Sequence, residues 1–346
     1  MSGGTFAISL DFALYWGMRN RQPFSACQTR LQGVYQAIPA LLTAFQQANI
    51  HATWAVVGLV FFRDTAELRY HLPSILPQYH DRRLNPFLYL PNTERHPDLI
   101  PYYYAPQLIQ AIQRYAGQEI ASHSFSHFNI GATGATLESF TADVQAAKNI
   151  ATRFGIALKS HVFPRQQYCA TYIEPLSQQG IQAFRGNPAS FIYNLPAKRN
   201  ALYPFKRGLR FLDSLYNLTG HHTFKPSVVR QLEHPIINIP ASRFFNPFDS
   251  AATLNTGRIK RIMQSMTHAA QQNEVFHLWW HPEDFGVQLT ENMQRLEQVL
   301  EHYLNLKAKY GMVSQNMQEI AQAYPVPHVH NVYTHPLGVA SPANLS

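Results

Sequence analysis

A single (β/α) barrel of about seven strands, an α/β fold, is what this chain predicts. Three observations predict it. Short apolar, β-rich runs alternate with helical patterns along most of the length, which signals parallel βαβ units. The count of such runs, about seven, suits a barrel better than two small domains. No low-complexity linker or internal repeat divides the 346 residues. An open doubly wound sheet is the alternative that periodicity leaves standing.

Each element follows in order. Thr5–Phe12, "TFAISLDF", is a continuous apolar run and reads as a buried strand. "LQGVYQAIPALLTAFQQAN" follows as a helix that Pro39 should interrupt. "HATWAVVGLVFF", His51 to Phe62, is a second strand that runs into a turn at Gly58. "EIASHS" is the third. In "TLESFTADVQAAKNIATRFG", Leu137, Phe140, Val144, Ala147, Ala151 and Phe154 recur with a helical period and Gly155 closes the helix. "KSHVFP", "QAFRG", "PIINIPA" and "VFHLWW" supply strands four to seven, and "ENMQRLEQVLEHYLNLKAKYG" a late helix.

Tyr70 to Pro106 breaks the rhythm. It is rich in Pro, Tyr and His without a clean period, and residues 70–106 read as a lid-like insertion after the second strand. Its tyrosines suit stacking on sugar rings. The barrel is expected over residues 1–325. Residues 326–346, with "PHVHNVYTHP", read as a C-terminal tail.

Composition narrows the class. Hydrophobic residues make up 46% and charged residues 14%, enough apolar content for a large core. No run approaches a membrane span, and the N-terminus lacks a secretory pattern. Two cysteines, Cys27 and Cys169, have no metal or redox spacing, so a reduced cytoplasmic protein is expected. The net charge of +8 comes from scattered Lys and Arg. It reads as a mildly basic surface and not as a nucleic-acid interface, with attraction to anionic glycans, phosphate-linked sugars or a membrane surface as a further reading.

Polar groups recur where strands end. His123 and His127 stand at i and i+4 directly after the third strand. In a helical turn that spacing sets Cβ atoms about 5–6 Å apart, close enough for two imidazoles to share a divalent metal. Asp11 ends the first strand, where a buried carboxylate needs a partner or a metal. Arg165 ends the fourth strand and His281 the seventh. A barrel gathers such ends on one face.

In order and context these residues resemble the polysaccharide deacetylase family, carbohydrate esterase family four. "SLDF" is similar to its first motif. "HSFSH", His123 to His127, matches its H-[ST]-x-x-H. "FPRQQY" resembles the arginine motif, and "LWWH", Leu278 to His281, matches L-x-x-H. "ATWAVVG" and "FRGNP" are also similar to family sequence. The resemblance runs from about Thr5 to about Gly286, most of the chain.

It implies a deformed (β/α)7 barrel and metal-dependent removal of an N- or O-linked acetyl group from a saccharide. The expected setting is bacterial surface-polysaccharide metabolism, with an acetylated or lipid-linked sugar as substrate. By the same resemblance a divalent metal, Zn²⁺ first, would sit on Asp11, His123 and His127. Asp11 would be the catalytic carboxylate, Arg165 would orient it, and His281 would protonate the leaving group. Leu278 and Trp280 would wall an acetyl pocket, and Arg185 would meet substrate.

The chain departs from the pattern at one place. The family's second acid follows the first directly or one residue further on, and here Phe12 and Ala13 follow Asp11. Three readings stay open. Asp11 is a ligand and another group the base; Asp11 is the base and a ligand comes from elsewhere; or the metal is lost. Two other functions accompany them: an amide hydrolase on a small non-sugar substrate, and a non-catalytic glycan-binding protein.

Overall fold

The structure, a computed structural model, describes residues 3–167, 169–193, 203–229 and 236–324. The predicted tail lies outside the described residues. Ten strands form one sheet: β1 (Thr5–Phe12), β2 (Ala52–Val56), β3 (Gln118–Ser122), β4 (Ser160–Val162), β5 (Ala183–Arg185), β6 (Ser227–Val229), β7 (Ile236–Asn238), β8 (Arg243–Phe244), β9 (Val275–Trp280) and β10 (Val313–Ser314). Their order is β6-β7-β5-β4-β3-β2-β1-β9-β8, with β10 on β1. From β7 to β8 all neighbours run parallel, and β6 joins β7 antiparallel. The sheet curls into a deformed (β/α) barrel. β6, β8 and β10 are too short to show a period in the sequence, which is why the sequence suggests fewer strands.

The first helix runs from Phe24 to Ala48 and passes through Pro39 without a break. Pro39 faces solvent. The buried stripe of Leu31, Val34, Ile38, Leu41, Leu42 and Phe45 holds both halves against the barrel, so the lost backbone bond does not end the helix.

Both faces of β1 are buried, as in any parallel sheet covered by helices. Phe6, Ile8, Leu10 and Phe12 pack outward in the main core. Ala7 faces inward and meets Ala55, Ala121, Val162 and Ala183. These small side chains leave room inside the barrel for polar groups. The N-terminal end of the barrel is stopped by the helix Met317–Ala323. Met317 N–H donates to Thr53 Oγ1 (2.8 Å) and Gln318 N–H to Glu119 Oε2 (3.1 Å), and Met317 and Ile320 fill the interior. Only the C-terminal end is left for a cavity.

Residues 70–106 form short 3-10 turns at Arg82–Leu84, Pro86–Leu88 and Pro97–Leu99 and a small helix, Ile100–Tyr103. None of them lines the large cavity at the barrel mouth. Tyr102 packs edge-on against Phe24, and Tyr104 against Trp16 with its hydroxyl on Thr65 Oγ1 (2.8 Å). These tyrosines tie the segment to the barrel wall beside the mouth, where a lid would have crossed it.

Candidate active site

β1 carries Asp11 inward at its C-terminal end, with only 5% of the side chain exposed. Arg185, the last residue of β5, meets it as a two-pronged fork: Nη1 donates to Oδ1 (2.7 Å) and Nη2 to Oδ2 (2.6 Å). Ser9 and His277 brace the fork from the same inner face. Arg185 Nη1 donates to Ser9 Oγ (2.8 Å), which sits 2.8 Å from His277 Nε2. The Trp279 ring lies 4.6 Å from the guanidinium carbon. Burial alone would push the Asp11 carboxyl up. Arg185, helped by His123 and His281, overrides burial and holds it below the usual carboxylate range.

The role expected of Arg165 therefore belongs to Arg185. β5 aims its last side chain into the barrel, whereas Arg165 sits in the 3-10 turn Pro164–Gln166 with φ 62° and reaches Asn20 Oδ1 at the rim (3.2 Å). Arg185, expected to touch substrate, lies behind Asp11 and does not line the cavity.

His123 follows β3, and its Nδ1–H donates to the Val162 carbonyl (2.8 Å). That bond leaves Nε2 unprotonated. The His127 ring centroid is 5.2 Å away. The pair is not brought together by a helical turn. Ser124 and His127 occupy the left-handed region, φ 61° and 56°, and fold the loop back on itself. Asp143, on the helix Leu137–Arg153, pins that loop. It accepts from Phe125 N–H (2.6 Å), Ser126 N–H (3.1 Å) and the Ser126 hydroxyl. Burial lowers the His123 pKa to about 4 against the pull of Asp11, and lowers that of His127 well below its ordinary value. Both rings are neutral at neutral pH. Asp143→Ala removes three bonds to one loop. It should destabilise the fold by about 2–4 kcal/mol in urea unfolding and disorder both imidazoles in their NMR resonances.

These neutral, oriented imidazoles are in the form a cation requires. The third ligand is missing. Among the described residues no three His, Cys, Asp or Glu side chains are placed to share a metal ion. Asp11 is not grouped with His123 and His127 in a three-ligand set, and each of its oxygens already accepts one bond from the Arg185 fork. The residues present do not form the three-ligand site that hydrolytic zinc uses, and no chemical step is assigned to a metal.

His281 caps the short helix Pro282–Phe285 after β9. Its Nδ1 lies 3.2 Å from Asp284 Oδ2, and Asp284 is paired in turn with Arg30 (3.1 Å). Burial pulls the imidazole pKa down. The hydrogen bond and charge of Asp284, with Asp11 and Glu283, outweigh burial and raise it to about 9. Its side chain is 43% exposed and lines the cavity.

Leu278 and Trp280 do not wall a pocket. Side chains alternate along β9, and both point outward. Leu278 is in the outer core, and Trp280 packs on Phe245 and Phe285. Trp279, between them, faces the cavity.

Sequence reasoning passed over Glu283. Its Oε1 accepts from the backbone N–H groups of Ala13 (3.0 Å) and Leu14 (2.7 Å). Its Oε2 is buried without a partner, and burial pushes the carboxyl up. Glu283 thus stands beside Ala13, where the resemblance would place a second acid. The available signal was "HPED", two acids immediately beyond a strand-end histidine.

The cavity holds about 610 Å³ and is lined by Asp11, His123, His127, His281 and Glu283 together with aromatic rings. The fold is that of an α/β barrel protein, similar in architecture to solved structures described as polysaccharide deacetylases. Solved structures bear this out. A Mycobacterium smegmatis protein described as a polysaccharide deacetylase superposes with TM-score 0.57 at 14% identity, over 93% of this chain and 91% of that one. A Pseudomonas aeruginosa protein so described gives 0.55 at 11% identity, over 92% and 91%. PuuE allantoinase gives 0.54 at 12% identity, over 92% and 90%. At these identities the likeness is one of fold. No family model matches the chain, and no curated protein matches its sequence. Among the described residues no helix is long and apolar enough to cross a membrane.

Proposed function

We propose that this protein hydrolyses an acyl group, N- or O-linked, from a saccharide. One arrangement carries the reading: Asp11, gripped by the Arg185 fork, and His281, bonded to Asp284, line the same cavity. Asp11 is held ionised by Arg185, and His281 is held protonated by Asp284. Such separation is how carboxylate and imidazole divide the base and acid roles. Asp11 takes the proton from the attacking water, the acyl C–N or C–O bond breaks, and His281 delivers a proton to the departing amine or alkoxide. The aromatic walls, Trp279, Phe244 and Tyr193 among them, offer flat apolar faces with polar tips, which suits sugar rings.

The test is acetate release from a panel of N- and O-acetylated saccharides and small amides. His281→Gln should lower kcat by about 10²–10⁴-fold. No release by the wild-type protein from any member overturns the reading. A second reading, glycan binding without turnover, rests on the missing acid after Asp11, and saccharide binding without release favours it.

The charged imidazole fixes a pH dependence. The folded-state pKa of His281 is raised from 6.5 to about 9. Its stabilising contribution is complete below about 6.5 and is lost as pH rises through about 9. The same ionisation removes the proton donor, so kcat should fall on the basic side near pH 9. Asp284→Asn should move that limb toward about 6.5, read from the kcat–pH profile. An unmoved limb would assign the ionisation to another group.

A further inference from the structure

We propose that the acyl substrate carries an oxyanion, a carboxylate or a phosphate, and that this group docks on Arg165 beside the imidazole pair. The proposal rests on the hydrolase reading and names its substrate class.

The cavity is lopsided in charge. Among the described residues eight arginines and no lysine line it, against three carboxylates, Asp11, Glu283 and Asp284. Two carboxylates are already matched to cations, Asp11 to Arg185 and Asp284 to Arg30 and His281, and Glu283 accepts two backbone N–H groups through Oε1. On the far wall the buried arginines have protein acceptors, while Arg207 is exposed to solvent. Arg243 pairs with Asp213 (2.5 Å), Arg258 with Asp249 (3.7 Å), and Arg261 donates to Asn217 Oδ1 (2.7 Å).

Arg165 differs. Its Nη2 donates to one neutral acceptor, Asn20 Oδ1, and its Nε is buried with no acceptor among the described residues. Among the described residues no carboxylate pairs with it. Its charged neighbours are Arg21 and Arg19, and burial together with these two lowers its pKa to about 10, still fully cationic at neutral pH. Among the described residues Arg19 in turn has tyrosines as its counterparts. Burying a guanidinium next to other guanidiniums is unfavourable unless an anion completes it.

The backbone adds to the case. Arg165 and Gln166 both occupy the left-handed region, φ 62° and 54°. Such conformations persist where the surroundings hold a side chain for use. In this conformation Arg165 lies on the cavity wall, where its charge acts on His127. The planar fork fits a carboxylate or phosphate edge. An anionic sugar bound there would place its acyl group among Asp11, His127 and His281, with the ring against the aromatic wall.

The experiment compares N-acetylglucosamine, its 1-phosphate and an N-acetylated uronic acid. Each is titrated calorimetrically into wild-type, Arg165→Gln and Arg165→Lys protein, with acetate release followed in parallel. The anionic sugars should bind at least about tenfold more tightly than the neutral one, and added salt should narrow the gap. Arg165→Gln should abolish the gap, and Arg165→Lys should retain part of it. Which anionic sugar gains more separates carboxylate from phosphate. Equal binding of neutral and anionic sugars by the wild type overturns the proposal, and so does a gap that persists in folded Arg165→Gln. If Arg165→Gln does not fold, the wild-type comparison and Arg165→Lys decide. Charge preference without acetate release would sink the hydrolase reading alone, and release without charge preference would sink this proposal alone.

Discussion

Arg185→Met should cost about 3–5 kcal/mol of unfolding free energy, because it leaves a buried, ionised carboxylate without its cation. Asp11 and Arg185 are 5% and 2% exposed, so water cannot take over the lost bonds. With Arg185 gone, burial would push the Asp11 carboxyl up against only the weaker pull of His123 and His281. It would be a less ionised and poorly oriented base, and turnover should fall steeply. Adding Asp11→Leu to Arg185→Met should restore much of the stability and none of the activity, since an apolar pair can replace a buried ion pair of similar volume. Arg185→Lys keeps the charge but not the fork, nor the fit between Ser9 and Trp279, and should lie between. Urea unfolding of the four proteins measures this. A loss under about 1 kcal/mol in Arg185→Met would mean that the pair is not the central support claimed for it.

Ala13→Glu should produce the largest gain. A Cβ built on Gly17 would lie 3.0 Å from Ala13 Cβ and 3.9 Å from His127 Nε2, so Ala13 and the imidazole are within one short side chain of each other. A carboxylate introduced there would join His123 and His127 and supply a third ligand. Zinc affinity should rise roughly tenfold or more over wild type, since structural and catalytic zinc sites use three or four protein ligands. Isothermal titration of metal-stripped protein with Zn²⁺ reads the change directly. Glu283 binds the backbone N–H of residue 13, not its side chain, so the substitution leaves that bond in place. An unchanged affinity in a folded variant would show that the imidazole pair does not face position 13.

Asp11, His123 and His281 were legible because each signal is local. A polar residue at the end of an apolar strand must be expensive to bury or must be used, and strand ends share one rim in a parallel barrel. The strands themselves were legible for the same reason: Thr5–Phe12 begins and ends where its apolar run does. Failures of two kinds followed. Pro39 was misjudged and β6, β8 and β10 were missed because tertiary packing, not propensity, decides them. Leu278 and Trp280 were misplaced by one step in the alternation of β9, which turns every side chain to the other face.

The sequence by itself determined the layered α/β plan, the strand-end position of the polar residues and the absence of an acid at positions 12 and 13, all properties of short stretches of chain. The tertiary structure alone decided which arginine meets Asp11. The partner is 174 residues away, and only the inward face of β5 brings it within bonding distance. With that choice both oxygens of Asp11 are occupied, and Arg165 is left facing the cavity with its charge uncompensated.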